Sequence, residues 1–487
     1  MSDKTRWEGR GQQLRDSGRG EKDAAPSSAS RQRKNSVLNF LSGSAVSGGW
    51  ELKQKFRLLL MAVPVTTWVM AWVLASGQTL PPQTQAPNHR AISRSSFSSD
   101  GSDGDNARKD LDSCHIHEVK SLPGSHEFAS DFIETMASDP DPTAKDANVV
   151  WGLTADLSSA VPTRDRAIYI SKSIDGGEKW TPVARVDSKY FEAEIGEGLR
   201  NGLGVSPGGT DFVVTTQMGA FQVFPRSKTS AARVESIAGP RVPHIRPDVT
   251  IAKKEGDPVR AGVVEITADG EHMIIGYGYF DSNPQLFTYH RDAHGSWIED
   301  GTLPRLPTDL DIFSMQFDNP KERNPDSLYV GTGDQAYHLN FHTMKWTRVD
   351  GVGPDSAIHS ISTVGGLHLA ACWGVYNPVS ADAVKRVTNA RFLLHRAQDQ
   401  VGPNIRAYSI EVDPARPNRE VLTAITGVYT SRDSGESWIR LNELPEGEFH
   451  SSHFNSDGTI IVSGYAGTFL ANPFSNACSP HLRTRGK

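Results

Sequence analysis

Seven short apolar runs recur along this chain: ANVVWGLT (147–154), DFVVTTQMG (211–219), HMIIGYGYF (272–280), SLYVGTGD (327–334), LHLAACWG (367–374), EVLTAITG (420–427) and TIIVSGYAG (459–467). The run before each is equally regular: LGVSPGG, VVEITADG, SMQFDNP, HSISTVGG, YSIEVDP and HFNSDG. Alternating or β-branched runs broken by Gly, Pro, Asn and Asp are strand and hairpin signals. A small antiparallel sheet of this kind cannot bury both faces by itself, so such units stack side by side around an axis. The pattern predicts an all-β chain, a seven-bladed β-propeller over residues 112–480.

The seventh unit runs out after GTFLANPFSNACSP (467–480), one strand short. The missing strand is expected from CHIHEVKSL (114–122), ahead of the first unit, so that the last blade is completed by an N-terminal strand and no edge is left exposed. Cys114 and Cys478 would then sit at one junction, where a disulfide would staple it. The third cysteine, Cys372, lies in an apolar run and reads as a small buried hydrophobe. His115 and His117 share a strand face, but with no third ligand at a readable spacing they read as surface histidines.

The segments before the repeat are different in kind. Residues 1–57 are polar, Arg- and Ser-rich and without apolar periodicity, which reads as a disordered basic tail. Residues 58–77 are uncharged and follow Lys53, Lys55 and Arg57, so they read as a signal peptide or a transmembrane anchor. Small residues at 75–77 keep cleavage before Gln78 open beside anchoring. Residues 78–111 read as a flexible linker. Either fate of 58–77 places the remainder outside the cytoplasm: secreted, periplasmic, or held by one N-terminal helix. A net charge of −6 over 487 residues gives no reason to expect a nucleic-acid partner.

Two octapeptides, SIDGGEKW (173–180) and SRDSGESW (431–438), place Ser, Asp, Gly and Trp at the same spacings: Ser173, Asp175, Gly177, Trp180 and Ser431, Asp433, Gly435, Trp438. Asp accepts bonds from turn amides, Gly takes a positive φ, Ser adds a local bond and Trp opens the next strand. Each part is used up in holding a hairpin, which makes the device structural. A degraded copy, RDAHGSW, keeps Asp292 and Trp297, and FHTMKW (341–346) keeps only the Trp. These octapeptides resemble the Asp-box, the bacterial neuraminidase repeat. Lys179 replaces the usual Ser or Thr in the first. The resemblance extends to sialidases, xyloglucan-degrading endoglucanases, sortilin-type receptors and a photosystem assembly factor, and implies a propeller whose members range from hydrolases to binders.

In a propeller, the loops entering the innermost strands open on one face, away from those turns. They read GEGLRNGLGV, GDPVRAGVV, LPTDLDIFSM, GPDSAIHSI, GPNIRAYSI and LPEGEFHSSHF. Arg200, Arg260 and Arg406 are expected to converge there with Asp309, Asp311, His359, Glu448 and His450. Such charges either pair with one another in a solvated funnel or grip a carboxylate through Arg. WGVYNPVSADAVKRVTNAR (373–391) is expected to overhang the same face as a long loop between the second and third strands of blade 5, and 154–166 as another. Trp373 and Tyr376, with Tyr277, Tyr279 and Phe280, are either platforms for sugar rings or packing between blades.

Two functions follow. One is a binding module for a glycan, an acidic peptide or an extracytoplasmic protein, with Arg200, Arg260, His359, Arg406, His450, Trp373 and Tyr376 as contacts. The other is a glycoside hydrolase, sialidase-like or endoglucanase-like, with Asp309 or Asp311 paired with Glu448. The sialidase form lacks an Arg-Ile-Pro-type motif before Ser173, and its Tyr–Glu nucleophile pair has no assignable positions. No cofactor or metal is expected, and a membrane is a partner only through an uncleaved 58–77. Mass spectrometry under non-reducing conditions should find the Cys114 and Cys478 peptides linked; free thiols at both would refute the staple.

Overall fold

The computed structural model describes residues 116–119, 122, 132–139, 148–156, 167–190, 202–225, 232–241, 256–278, 284–353, 356–372, 374–380, 383–387, 391–393 and 406–475. The tail, the signal or anchor, the linker, Cys114, His115 and Cys478 lie outside them. Among the described residues no helix is long and apolar enough to cross a membrane.

The alternating runs pair as seven separate antiparallel sheets, the blades of a β-propeller. Their innermost strands, in ring order, are Thr135–Ser138, Leu203–Val205, Ala261–Ile266, Ile312–Phe317, Ile358–Ser362, Ala407–Val412 and Phe449–Phe454. Blade 7 is completed from the N-terminal side, where Ile116–Glu118 pairs with Gly467–Ala471 in the register Ile116↔Ala471 to Glu118↔Phe469. Val119 N–H extends that ladder to the Thr468 carbonyl at 2.9 Å. Blade 6 carries a fifth strand that the sequence reading did not foresee, Arg391–Leu393, parallel to Ser437–Arg440.

Adjacent blades share their apolar cores, and the octapeptide tryptophans sit at the seams. Trp180 packs with Ile133, Val150 and Ile461, joining blades 1 and 7. Trp438 packs with Ala370 and Val375 of blade 5. Trp297 packs with Val213 and Ala220 of blade 2. Each octapeptide is a turn between the third and fourth strands. In the first, Ser173 Oγ donates to Asp175 Oδ1 (2.8 Å), while Gly177 N–H and Lys179 N–H donate to Ser173 Oγ and Asp175 Oδ1. The Trp180 indole N–H reaches the Gly177 carbonyl at 3.0 Å. The second repeats the pattern through Ser431, Asp433, Gly435 and Ser437. Gly177 and Gly435 have φ of 101° and 81°, where a Cβ is strained.

A side-chain amide from the preceding blade locks each turn. Asn455 Nδ2 donates to the Gly176 carbonyl (2.7 Å), Asn377 Nδ2 to the Ser434 carbonyl (2.6 Å), and Gln222 Nε2 to the Gly295 carbonyl (2.8 Å). Nearer the axis, serines stitch neighbouring inner strands. Ser314 Oγ donates to the Ile358 carbonyl, Ser360 Oγ accepts from Ile410 N–H, Ser409 Oγ meets Ser452 Oγ, and Ser451 Oγ donates to the Ile133 carbonyl. These bonds tie blades 4, 5, 6, 7 and 1 in sequence.

One expectation about the face opposite the turns is overturned. Gly374–Ser380 and Ala383–Arg386 are the third and fourth strands of blade 5, so these residues are not a loop between its second and third strands. Asn377-Pro378 reads as a loop signal, yet the strand accommodates Pro378 beside a register shift, a place where a missing N–H is tolerated.

Two glutamates on inner strands, Glu265 and Glu411, are pushed up to about 8 by burial. Each lies on an innermost strand and keeps only partial solvent exposure, which penalises the charged carboxylate. A raised folded-state value means the folded chain holds protons that the unfolded chain has lost, so stability is full below about 4.5 and declines as pH rises towards about 8. Glu265→Gln and Glu411→Gln should each flatten the fall in melting temperature between pH 5 and 8; an unchanged slope would refute the assignment. Asp433→Ala, which removes the acceptor for Ser437 N–H, should cost about 1–2 kcal/mol and Trp438→Ala about 3–5 kcal/mol in denaturant unfolding.

Candidate functional site

The inner strands of blades 3 to 7 each carry a register shift at their second residue: between Ala261 and Val263, Ile312 and Ser314, Ile358 and Ser360, Ala407 and Ser409, and Phe449 and Ser451. A bulge takes one residue out of the ladder and re-aims its side chain. The residues so placed are Gly262, Phe313, His359, Tyr408 and His450. Four of the five are rings, and they touch one another around the mouth.

Phe313 stacks on His359 with centroids 5.3 Å apart and planes 7° from parallel. His359 meets Tyr408 edge-on at 5.8 Å. Tyr408 stacks on His450 at 4.7 Å, and His450 on Phe132 at 5.5 Å. Tyr465 stands edge-on to both Phe132 and His450, at 5.0 and 4.9 Å. The result is an arc of rings crossing blades 4, 5, 6, 7 and 1, which ends at blade 3 on Gly262. Edge-to-face and offset stacks of this kind are favourable and hold ring faces in fixed directions. Tyr465, between the second and third strands of blade 7, is 59% exposed and gives the arc its most open face.

Polar groups attach to this arc. Cys372 Sγ lies 2.9 Å from His359 Nε2. Glu448 Oε1 lies 3.3 Å from His450 Nε2. The Arg406 guanidinium sits over the Tyr408 ring, 5.5 Å from its centroid, and is exposed. Phe132, His359 and Tyr408 are themselves buried, so the arc is a rigid backing on which the exposed Tyr465 ring, the Arg406 cation and the Glu448 carboxylate are presented at a common mouth. Such a surface can stack on a sugar ring or a planar side chain while the cation takes an anionic group.

The residues expected at this mouth divide. His359, Arg406, Glu448 and His450 are brought to the arc. Arg260 is only 5% exposed, so its guanidinium does not stand open as a clamp; it precedes a strand whose first residue is packed in the core of blades 2 and 3. Asp309 is an exposed partner of Arg305, at 2.6 Å, and Asp311 is half-buried just before the blade 4 inner strand. Both belong to blade 4 and Glu448 to blade 7, and Asp309 and Glu448 each have a different neighbour. Tyr376 is 1% exposed, its hydroxyl 2.9 Å from Ser356 Oγ, so it is seam packing rather than a platform. Tyr277 is likewise buried, bonded to the Tyr289 hydroxyl. Cys372 is half-buried beside His359, not a core hydrophobe, because the second strand of blade 5 ends at Ala371 and the chain turns there. His117 is exposed, as expected of a surface histidine. Arg200, Trp373, Tyr279 and Phe280 lie outside the described residues.

Phe313, Tyr408, Phe132 and Tyr465 were not singled out in the sequence, although a signal was present. Ile312-Phe313-Ser314, Ile358-His359-Ser360, Ala407-Tyr408-Ser409 and Phe449-His450-Ser451 repeat one pattern, an apolar residue, a ring and a serine. The serine is the inter-blade stitch and the ring is the bulged residue.

Fold and mouth together define a seven-bladed β-propeller with a ring-lined axial opening. Solved structures similar to it include the GH74 enzyme of Niastella koreensis, at 17% identity over 69% of this chain and 52% of that one, with a TM-score of 0.47. The extracellular domain of BT4673 from B. thetaiotaomicron is similar at 11% identity over 74% and 40%, TM-score 0.43. YCF48 bound to D1 peptide is similar at 11% identity over 74% and 94%, TM-score 0.43. The chain spans about half the length of the GH74 enzyme. No family model and no curated protein matches the sequence.

Proposed function

We propose that this chain is an Asp-box propeller exported from the cytoplasm, where it acts as a binding module for a glycan, an acidic peptide or a partner protein. The observation that carries this reading is the arc of stacked rings, Phe313, His359, Tyr408, His450 and Phe132, which holds the exposed Tyr465 ring and the exposed Arg406 at the mouth. Preformed aromatic faces on a rigid scaffold lose little freedom when a ligand arrives. Arg406 beside Tyr408 supplies the anion preference. The Asp-box turns serve as clips on the opposite face and take no part in binding.

A glycoside hydrolase is the second reading, favoured by one observation: a carboxylate, Glu448, sits at the mouth within 3.3 Å of an imidazole. It needs a second carboxyl across the bond to be cleaved. Asp311 is the nearer of the two blade 4 candidates to the bulged strand, and Asp309 is held by Arg305.

Arrays of oligosaccharides and acidic peptides, read against a fluorogenic glycoside panel, separate these readings. Binding without turnover is expected, weakened about tenfold in Tyr465→Ala and in Arg406→Ala, since one aromatic or charged anchor contributes on the order of 1–2 kcal/mol. Turnover abolished by both Glu448→Gln and Asp311→Asn would replace binding with hydrolysis.

A further inference from the structure

At the seam of blades 5 and 6, beside the ends of the inner strands opposite the mouth residues, three polar side chains meet in the core. His368 opens the second strand of blade 5, Asn377 lies on its third, and Glu420 opens the second strand of blade 6. Their exposures are 4%, 6% and 0%. Both Glu420 oxygens, both His368 ring nitrogens and Asn377 Oδ1 lack a hydrogen-bond partner. Asn377 and the Val364 backbone stand close enough to His368 to favour its protonated form, although neither contact meets hydrogen-bond geometry. Asn377 Nδ2 donates to the Ser434 carbonyl at 2.6 Å, which fixes the amide and leaves its oxygen free. A Cβ on Gly435 would lie 2.0 Å from Asn377 Nδ2 and 3.3 Å from Glu420 Oε2, so the second octapeptide turn presses on the same spot.

Buried polar atoms left unpaired are costly, and several pooled at one place call for something between them. The spacing says what. His368 Nδ1 and Glu420 Oε1 are 3.4 Å apart. That is long for a charge-assisted hydrogen bond of about 2.7–2.9 Å. It is also short for two atoms sharing one water, which at hydrogen-bond lengths near 2.8 Å would stand roughly 4.5 Å apart. Two ligands of one tetrahedral ion with bonds of about 2.0–2.1 Å are separated by about 3.3–3.4 Å.

We propose that blades 5 and 6 are joined by a divalent transition-metal ion of the Zn2+ type, bound by His368 Nδ1, Glu420 and Asn377 Oδ1. Imidazole with carboxylate suits such an ion, whereas Ca2+ takes six to eight oxygens. The third ligand is an amide; the described residues hold no group of three His, Cys, Asp or Glu suited to a metal. The ion neutralises a buried carboxylate and gives a partner to His368 Nδ1, Asn377 Oδ1 and the Glu420 carboxylate. Its role is structural: it clamps the second octapeptide turn, through Asn377, to the neighbouring blade.

The test is elemental analysis and thermal unfolding of the full-length protein prepared with zinc. Wild type should carry about one zinc per chain, and Glu420→Gln and His368→Asn at least fivefold less. Chelation should lower the wild-type melting temperature by several degrees, restored by Zn2+ and not by Mg2+, while Glu420→Gln responds to neither. Equal zinc in wild type and Glu420→Gln overturns the site whatever the melting curves show. Should the variants fail to fold, wild type alone decides: a melting temperature indifferent to both chelator and zinc overturns it, and zinc-edge absorption showing a nitrogen–oxygen shell with one imidazole supports it.

Discussion

A propeller is a ring, and its blades are stable only while every apolar face has a neighbour. Six of the seven blades take all four of their strands from consecutive stretches of chain, with blade 6 adding a fifth. Blade 7 has three such strands and depends on Ile116–Glu118, about 350 residues away in sequence, to cover its outer edge. The same arrangement secures the seam with blade 1: Val119 and Leu122 pack with Ile133, Trp180 and Ile461, so the closing segment is core as well as ladder. Ile133 is bonded through its N–H to Ser463 Oγ and through its carbonyl to Ser451 Oγ. The chain links blade 7 to blade 1 through this one segment, which runs on from Ile116–Glu118 to Thr135–Ser138, and these contacts fix it to both blades.

Closure in turn sets the mouth. Phe132, adjacent to Ile133, is the ring that carries the arc from His450 of blade 7 into blade 1. Bulged residues elsewhere in the ring are aimed by the same local device, and the serine that follows each in blades 4 to 7 fixes the distance to the next blade. Backbone registry therefore determines where His359, Tyr408 and His450 can stand, and the binding surface inherits the rigidity of the stitched inner strands.

The seven-fold repeat was legible because the second strand of a blade is buried on both faces and is therefore mostly apolar, as in Ser327–Thr332 or Ile460–Gly464. The octapeptide turns were legible because their geometry needs particular residues; Gly177 and Gly435 tolerate no replacement of conformation. Blade 5 misled because Asn377 and Pro378 carry loop chemistry inside a strand, with Asn377 reaching out of its blade to the Ser434 carbonyl. Cys372 misled because an apolar neighbourhood in sequence ends one residue earlier in space. Arg260 shows the limit of reading charge as exposure: a long side chain entering an inner strand is buried by its neighbours. The ring arc required knowing that blade positions one bulge apart are equivalent, a relation created by stacking and invisible in any single blade.

The claim on which site and function both rest is that the N-terminal strand closes the ring. Hydrogen exchange followed residue by residue measures this directly. The account predicts that the Ile116–Val119 amides that enter the ladder are protected to the degree of Gly467–Ala471, their partner strand. Rapid exchange at 116–119 while 460–471 stay protected would mean an open ring, and would contradict the architecture from which the mouth is built.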